Sequence, residues 1–467
     1  MPIPKRLRWW SVPIALIPLA VVRAGLLAEP DTFWQIRVGL DILRQGRIPD
    51  TDPYSWSAWG TEWHPNSWAF DVLLAEAYRF GGLAAAALAA AAFIPLTAGA
   101  VGLLARRLGA RPGVVTLIVL VTFTPLLVWF SARPQMVDYA VVPFLLVLLD
   151  VAMKGERRAA RVSAVAGILV VQVVWVNLHL VAPLGIAVLA LAAVGHLITS
   201  PRKRRAGWIG AAAVAAAMVG TLASPFGWTV VTIAGDVHDS SSVIVEWGHF
   251  TFSKPVGDLL LAMCLLGLFG SWRMRRPDLL LPLGLLTAAG LYAIRMLPVA
   301  AVVAAAVLAA WTSASPRRSA YFDSRRALIR FAVVALVLAE TVVGVVKGTP
   351  GQARYPIALV RQIPAGCRLF NGYTLGGLVI LFRPDVKVSQ DSRSDLYGRD
   401  ALISANETEF GAHGADDLDR AQVTCALITP GSALSKQLQA RGDWREVGGD
   451  PTGVLYARTS TASGTTP

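Results

Sequence analysis

One stretch near the N-terminus, residues 29 to 68, concentrates side chains that can handle protons: Glu29, Asp31, Asp41, Asp50, Asp52, Glu62 and His64. Carboxylates and an imidazole gathered in this way suit general acid–base work, and the rest of the apolar part of the chain has no comparable cluster. Neighbouring helices are usually joined by roughly two to eight residues, so a connection this long is either functional or disordered. Seven aromatic residues, from Phe33 to Trp68, argue against disorder.

The elements that must hold this stretch are membrane spans. The chain has 467 residues, 55% of them hydrophobic and 16% charged, and a mean hydropathy of +0.54, too apolar for a soluble globular protein. Apolar runs of about 15 to 25 residues match a bilayer core. Eleven spans are expected, at roughly 9–28, 81–105, 113–131, 138–153, 162–176, 182–198, 208–223, 256–272, 279–294, 296–312 and 329–347. About half of the 43 basic residues fall in six short clusters, near positions 5, 106, 157, 204, 275 and 325, which alternate with the spans. By the positive-inside rule these clusters and the N-terminus face the cytoplasm, and the acidic stretch and everything after about 348 face outward. The net charge of +13 therefore reports topology and not nucleic-acid binding, because no basic, aromatic-interleaved face accompanies it. The first span lacks a small-residue cleavage site and reads as a signal anchor, with Arg23 near its outer end.

Within the acidic stretch, Phe33, Ile36, Leu40 and Leu43 recur at helical spacing, which predicts a short helix lying on the membrane surface. Phe70, Leu73, Leu74 and Ala77 repeat the pattern, and the proline-rich segments IPDTDPYSW and WHPNSW between them predict an ordered irregular stretch. The other outer connections are compact and polar: Arg133-Pro134-Gln135, Asn177-Leu178-His179, Ser224-Pro225-Phe226-Gly227 with Glu246-Trp247 further on, and Arg295. Asp31, the Ile48 to Pro53 segment, Trp63-His64 and these turns, taken in order, resemble bacterial membrane glycosyltransferases of the GT-C fold that use polyprenyl-phosphate sugars. The likeness runs through nearly the whole chain, including the NGYTLGGLVI and SRSDLYG segments.

The resemblance implies an α-helical polytopic membrane enzyme, GT-C-like, that transfers a hexose or pentose to an envelope glycan or glycolipid acceptor with inversion. Members of this family tend to carry adjacent paired acids at the start of the first outer loop, whereas here Glu29-Pro30-Asp31 splits the pair, and Asp31 takes the general-base role. Inverting transfer needs one carboxylate to accept the hydroxyl proton and cations to stabilise the departing phosphate. The resemblance gives the second task to Arg133, His179 and Arg295, with Arg23 as a further cation. Asp52, Glu62 and His64 would hold sugar hydroxyls or a divalent cation, Mg or Mn, and Gln135, Asn177 and Glu246 would line the substrate site. Plainer roles compete at each position. The competing reading makes Asp31 the N-cap of the following helix, Asp50 and Asp52 turn residues, Arg133 an interface anchor, His179 a cap for carbonyls, and Glu246 beside Trp247 structural.

After the last span the composition changes, giving an expected transmembrane domain over 1–348, a small extracytoplasmic α/β domain over 349–460 and a disordered tail over 461–467. Short apolar runs, CRLFN, GGLVILF, VKVSQ, VTCALITP and GVLYART, alternate with helical stretches and predict a largely parallel sheet. Cys367 and Cys425 fall in this domain, where an oxidising compartment would permit a disulfide if their strands are neighbours. Cys264 reads as core filler within a span. A non-catalytic transporter or assembly protein of an envelope pathway is the competing function. The ionisable groups gather at one mouth instead of mid-span, and no internal repeat is evident, which favours the transferase.

Overall fold

The computed structural model describes residues 11–24, 27, 29–229, 248–252, 254–315 and 353–459, with isolated positions between 328 and 346. Two compact units emerge, one built on residues 11–24, 83–229 and 248–315, the other on 27–82 and 353–459. The acidic stretch thus belongs with the C-terminal region. The division expected from composition groups it instead with the spans, in one domain over 1–348.

The helices, in chain order, are α1 Ser11–Ala15, α2 Ile17–Ala24, α3 Asp31–Gln45, α4 Trp68–Ala91, α5 Phe93–Arg107, α6 Pro112–Leu126 and α7 Met136–Lys154. They continue with α8 Arg158–Leu178, α9 Leu184–Thr199, α10 Lys203–Leu222, α11 Pro255–Arg273, α12 Pro277–Tyr292 and α13 Leu297–Ala314. The C-terminal region adds α14 Ile357–Val360, β1 Leu369–Asn371, α15 Gly376–Phe382, α16 Ser394–Phe410, α17 Gly414–Arg420, β2 Cys425–Ile428, α18 Ala433–Ala440, β3 Trp444–Asp450 and β4 Gly453–Arg458. Among the described residues, 6 helices are long and apolar enough to cross a membrane and four shorter apolar ones accompany them. Together they fall on the first ten expected spans; 329–347 lies mostly outside the described residues. The chain is a multi-pass membrane protein.

In the membrane unit, α13 is the central helix. Every residue from Leu297 to Ala310 is buried, and its alanines and valines let α5, α6, α7, α11 and α12 approach it closely. At one end of the bundle the basic clusters find acidic partners. Asp150 of α7 pairs with Arg107 of α5 at 2.8 Å and with Lys154, and Arg276 bridges Asp278 at 2.6 Å and Asp150 at 3.8 Å. These ion pairs tie the helix ends together.

The second unit differs from expectation in three ways. The sheet order is β1-β2-β4-β3, and only β1 and β2 run parallel. The two-residue link between Asp450 and Gly453 decides this, since so short a connection joins only antiparallel strands. GGLVILF forms helix α15, because a short apolar run of this kind fits a buried helix as well as a strand. VKVSQ forms no named strand; it makes a single parallel bridge from Val388 to Ser55. The apolar stripe of α3 is covered by protein: Phe33 and Ile36 are fully buried, and Phe33 packs edge-on against Tyr355 and near Phe382. The two helices and the ordered irregular stretch between them are present as expected.

Cys367, just ahead of β1, and Cys425 of β2 are joined by a disulfide, their Cα atoms 5.9 Å apart across the parallel pair. Cys264 is buried in α11, as its place in a span suggested. Replacing both bridging cysteines by serine should lower the stability of this unit by about 2–4 kcal/mol, read from thermal unfolding under oxidising conditions. Recovery of unlinked 367 and 425 peptides from the wild-type protein on non-reducing mapping would refute the bridge.

Candidate active site

Asp31 is the first residue of α3. Its helix is preceded by Pro30 as N-cap, and no side chain caps it, so Asp31 sits in the first turn and not at the capping position. An acid there is favoured by the helix dipole. Gly377 of α15 permits the close approach that frames this end of α3: a Cβ at 377 would lie 2.6 Å from the Pro30 carbonyl oxygen and 3.3 Å from Trp34. Gly39, further along α3, does the same for α4, with its Cβ position 2.1 Å from the Asp71 carbonyl oxygen. Asp71 itself is fully buried, and neither of its carboxyl oxygens has a hydrogen-bond partner among the described residues. The sequence reading passed over this residue, which looked like one more polar position on an amphipathic helix.

The segment after α3 is held by a buried ion cluster. Arg393 is 1% exposed and donates to Asp52 at 2.8 Å and to Asp391 at 2.8 and 2.6 Å. Its guanidinium also lies 4.5 Å from the Trp63 ring centroid and 5.2 Å from that of Tyr54, within cation–π range. Burial works against the Arg393 charge, and the Asp391 and Asp52 carboxylates outweigh it, holding its pKa well above the usual guanidinium value. Burial likewise pushes the Tyr397 hydroxyl up, reinforced by Asp391, to which that hydroxyl donates at 2.7 Å. Tyr54 is raised by burial and then by Asp41, whose carboxylate accepts from the Tyr54 hydroxyl at 3.0 Å and from Arg37 and Arg44. SRSDLYG is therefore a clasp: Ser392 accepts from Trp34 Nε1, Arg393 holds Asp52, and Asp395 accepts from Asn66.

This geometry revises the expectations for the loop. Asp52 is 1% exposed and its two oxygens are taken by Arg393, the Tyr54 and Ser55 amides and the Ser55 hydroxyl, so it anchors the turn. Glu62 is largely exposed on a small hairpin in which Thr51 bridges Glu62, with His64 Nδ1 4.0 Å away. Asp52, Glu62 and His64 therefore do not converge as ligands, and among the described residues no group of three His, Cys, Asp or Glu is placed to hold a metal ion.

In the membrane unit, the first turn of α7 gathers several expected residues. Gln135, 5% exposed, accepts from Arg295 Nη2 at 3.2 Å, and Arg133 precedes it in the same turn. Asp138, one turn further on, accepts from Trp175 Nε1 at 2.7 Å and from His179 Nδ1 at 2.8 and 2.9 Å. The pairing takes His179 beyond a simple helix cap. Asn177 donates to the Val173 and Ala223 carbonyls, tying the end of α8 to the end of α10, a structural duty. Glu246 lies outside the described residues. Asp138 was missed because its sequence neighbours, Met-Val-Asp-Tyr, look like an ordinary span entrance; only the spacing Gln135 to Asp138, one helical turn, could have hinted at a shared face.

Comparison with solved structures gives matches along the full chain. ArnT from Cupriavidus metallidurans bound to undecaprenyl phosphate superposes with a TM-score of 0.63 at 15% identity, covering 99% of each chain. The archaeal oligosaccharyltransferase AglB from Archaeoglobus fulgidus, in complex with an inhibitory peptide and a dolichol-phosphate, gives 0.65 at 12% identity over 98% of this chain and 75% of that one. The chain has the GT-C fold. The A. fulgidus oligosaccharyltransferase tethered to an acceptor peptide agrees, at 0.63 and 13% identity over 97% and 74%. No protein-family model and no curated protein sequence matches the chain.

If the Arg393 cluster holds the loop as described, Asp52→Ala leaves a buried guanidinium short of a partner and should cost about 3–5 kcal/mol. Glu62→Ala, at an exposed position, should change stability by no more than about 0.5 kcal/mol. Thermal unfolding of the two variants checks the contrast, and equal losses would contradict it.

Proposed function

We propose that this GT-C chain is a glycosyltransferase that moves a hexose or pentose from a polyprenyl-phosphate donor to an envelope glycan or glycolipid. The observation that carries the reading is end-to-end likeness to ArnT, a structure containing undecaprenyl phosphate, with AglB and its dolichol-phosphate as a second case. In this reading Asp31 takes the proton from the acceptor hydroxyl as its oxygen attacks the anomeric carbon, and the sugar–phosphate bond breaks with inversion. Arg133, Arg295 and His179 receive the negative charge that develops on the departing phosphate. Gln135, through its bond to Arg295, helps hold that cation in place. A lipid phosphate leaves without a strong acid to protonate it, so one carboxylate suffices.

The orientation follows from charge and redox chemistry. Basic clusters near 106, 157, 204 and 275 support a plasma-membrane protein with those ends in the cytoplasm, and the disulfide supports an oxidising outer face for residues 353–459. A protease added outside spheroplasts should cut the C-terminal region, and protection there with cleavage in inside-out vesicles would reverse the assignment.

Asp31→Asn should abolish transfer from a labelled polyprenyl-phosphate sugar while the protein still folds and binds lipid. The amide keeps the shape but cannot accept the proton, so a loss of about 10²- to 10⁴-fold is expected. A purely structural role would cost at most about 1 kcal/mol of stability and leave turnover near normal. Turnover within a few-fold of wild type would remove Asp31 as the base.

A further inference from the structure

Asp138 has no assigned part in the mechanism above, yet it is a buried carboxylate whose oxygens are both engaged. It is 2% exposed, and two side chains converge on it: Trp175 donates to one oxygen, and the His179 Nδ1 proton is shared between both. A carboxylate in this position fixes where the imidazole proton sits and stops the ring from turning, as the orienting acid does behind a histidine in catalytic and metal sites. With Nδ1 directed at Asp138, Nε2 points away from it, and among the described residues no hydrogen bond is made to Nε2. His179 as a whole is only 8% exposed, so its ring is held within the unit. One turn earlier on the same helix, Gln135 holds Arg295 by its guanidinium. The first turn of α7 thus orients two groups that can meet an anion, and Asp138 is the acid that orients one of them.

We infer that Asp138 is a positioning residue that presents His179 Nε2 as a hydrogen-bonding contact for the phosphate of the donor lipid. The inference rests on the lipid-phosphate reading given above and adds a residue to it. Aspartate suits the task for two reasons. Its two oxygens accept both the imidazole and the indole, and its short side chain keeps the ring against the end of α8. Asparagine at this position would offer one acceptor and one donor, and the donor would face the Nδ1 proton, turning the ring or leaving Trp175 unpaired.

The test is a double-mutant cycle on binding of undecaprenyl phosphate to the full-length protein in nanodiscs. Asp138→Asn and His179→Gln should each weaken binding roughly ten- to hundredfold, the range for a hydrogen bond to a charged group. The double variant should be no weaker than either single one, because both act through one contact. If the pair merely tied α7 to α8, the variants would lower the melting temperature and leave the dissociation constant unchanged; that result, or additive losses, overturns the inference. Should Asp138→Asn fail to fold, Asp138→Glu replaces it: binding should weaken in the wild-type background and not in His179→Gln. Two failures can be told apart. Normal lipid binding with an additive cycle removes only the role of Asp138, whereas a wild-type protein that binds no undecaprenyl phosphate removes the lipid-phosphate reading as well.

Discussion

A guanidinium buried away from water is the constraint on which the second unit depends. Arg393 has no solvent to fall back on, so Asp52, Asp391, Trp63, Tyr54 and Tyr397 must surround it closely. Ion pairs of this kind add little net stability over an apolar core of the same shape, and losing one partner is severe because the other charge is stranded. What the cluster supplies is one particular arrangement. Asp52 can be satisfied only when the proline-rich loop folds back on SRSDLYG, and that return also seats Trp34 on Ser392 and Asn66 on Asp395. The loop is long and rich in turn residues, and without these contacts its ordering would have to be offset by apolar burial alone.

Close backbone packing fixes the position of Asp31 through the helix that carries it. α3 is pinned by Phe33 and Ile36 in the core, by Gly39 against α4 and by Gly377 of α15 against Pro30. A methyl group at either glycine would meet backbone, which shifts less readily than a flexible side chain, so the start of α3 is set by backbone packing. Asp71 is fully buried with neither carboxyl oxygen hydrogen-bonded among the described residues, and natural structures keep such groups rarely.

In the membrane unit, apolar burial cannot drive one helix against another, since lipid is as apolar as leucine. Close packing of small residues takes its place along α13, where fourteen successive positions from Leu297 to Ala310 are buried. Polar pairs set the ends: Asp150 with Arg107 and Lys154, Arg276 with Asp278, Gln135 with Arg295, and Asp138 with His179 and Trp175. An ion pair or hydrogen bond is demanding in direction, so these few contacts fix which helix ends meet.

The sequence by itself determined the class, the positions of the first ten spans, the two helices flanking an irregular loop and the neighbourhood of the two outer cysteines. These are properties of periodicity, length and composition, and they are local. It also singled out Asp31, Arg133, Gln135, His179 and Arg295, though without saying which touch one another. The tertiary structure decided that Asp52 is paired with Arg393, that GGLVILF is a helix, that the sheet is mostly antiparallel, and that Asp138 meets His179. In each case the deciding partner lies far along the chain, 341 residues away for Asp52 and Arg393 and 41 for Asp138 and His179. A carboxylate looks the same in the sequence whether it ends up against water, a guanidinium or an imidazole, and the difference arises only when folding sets what surrounds it.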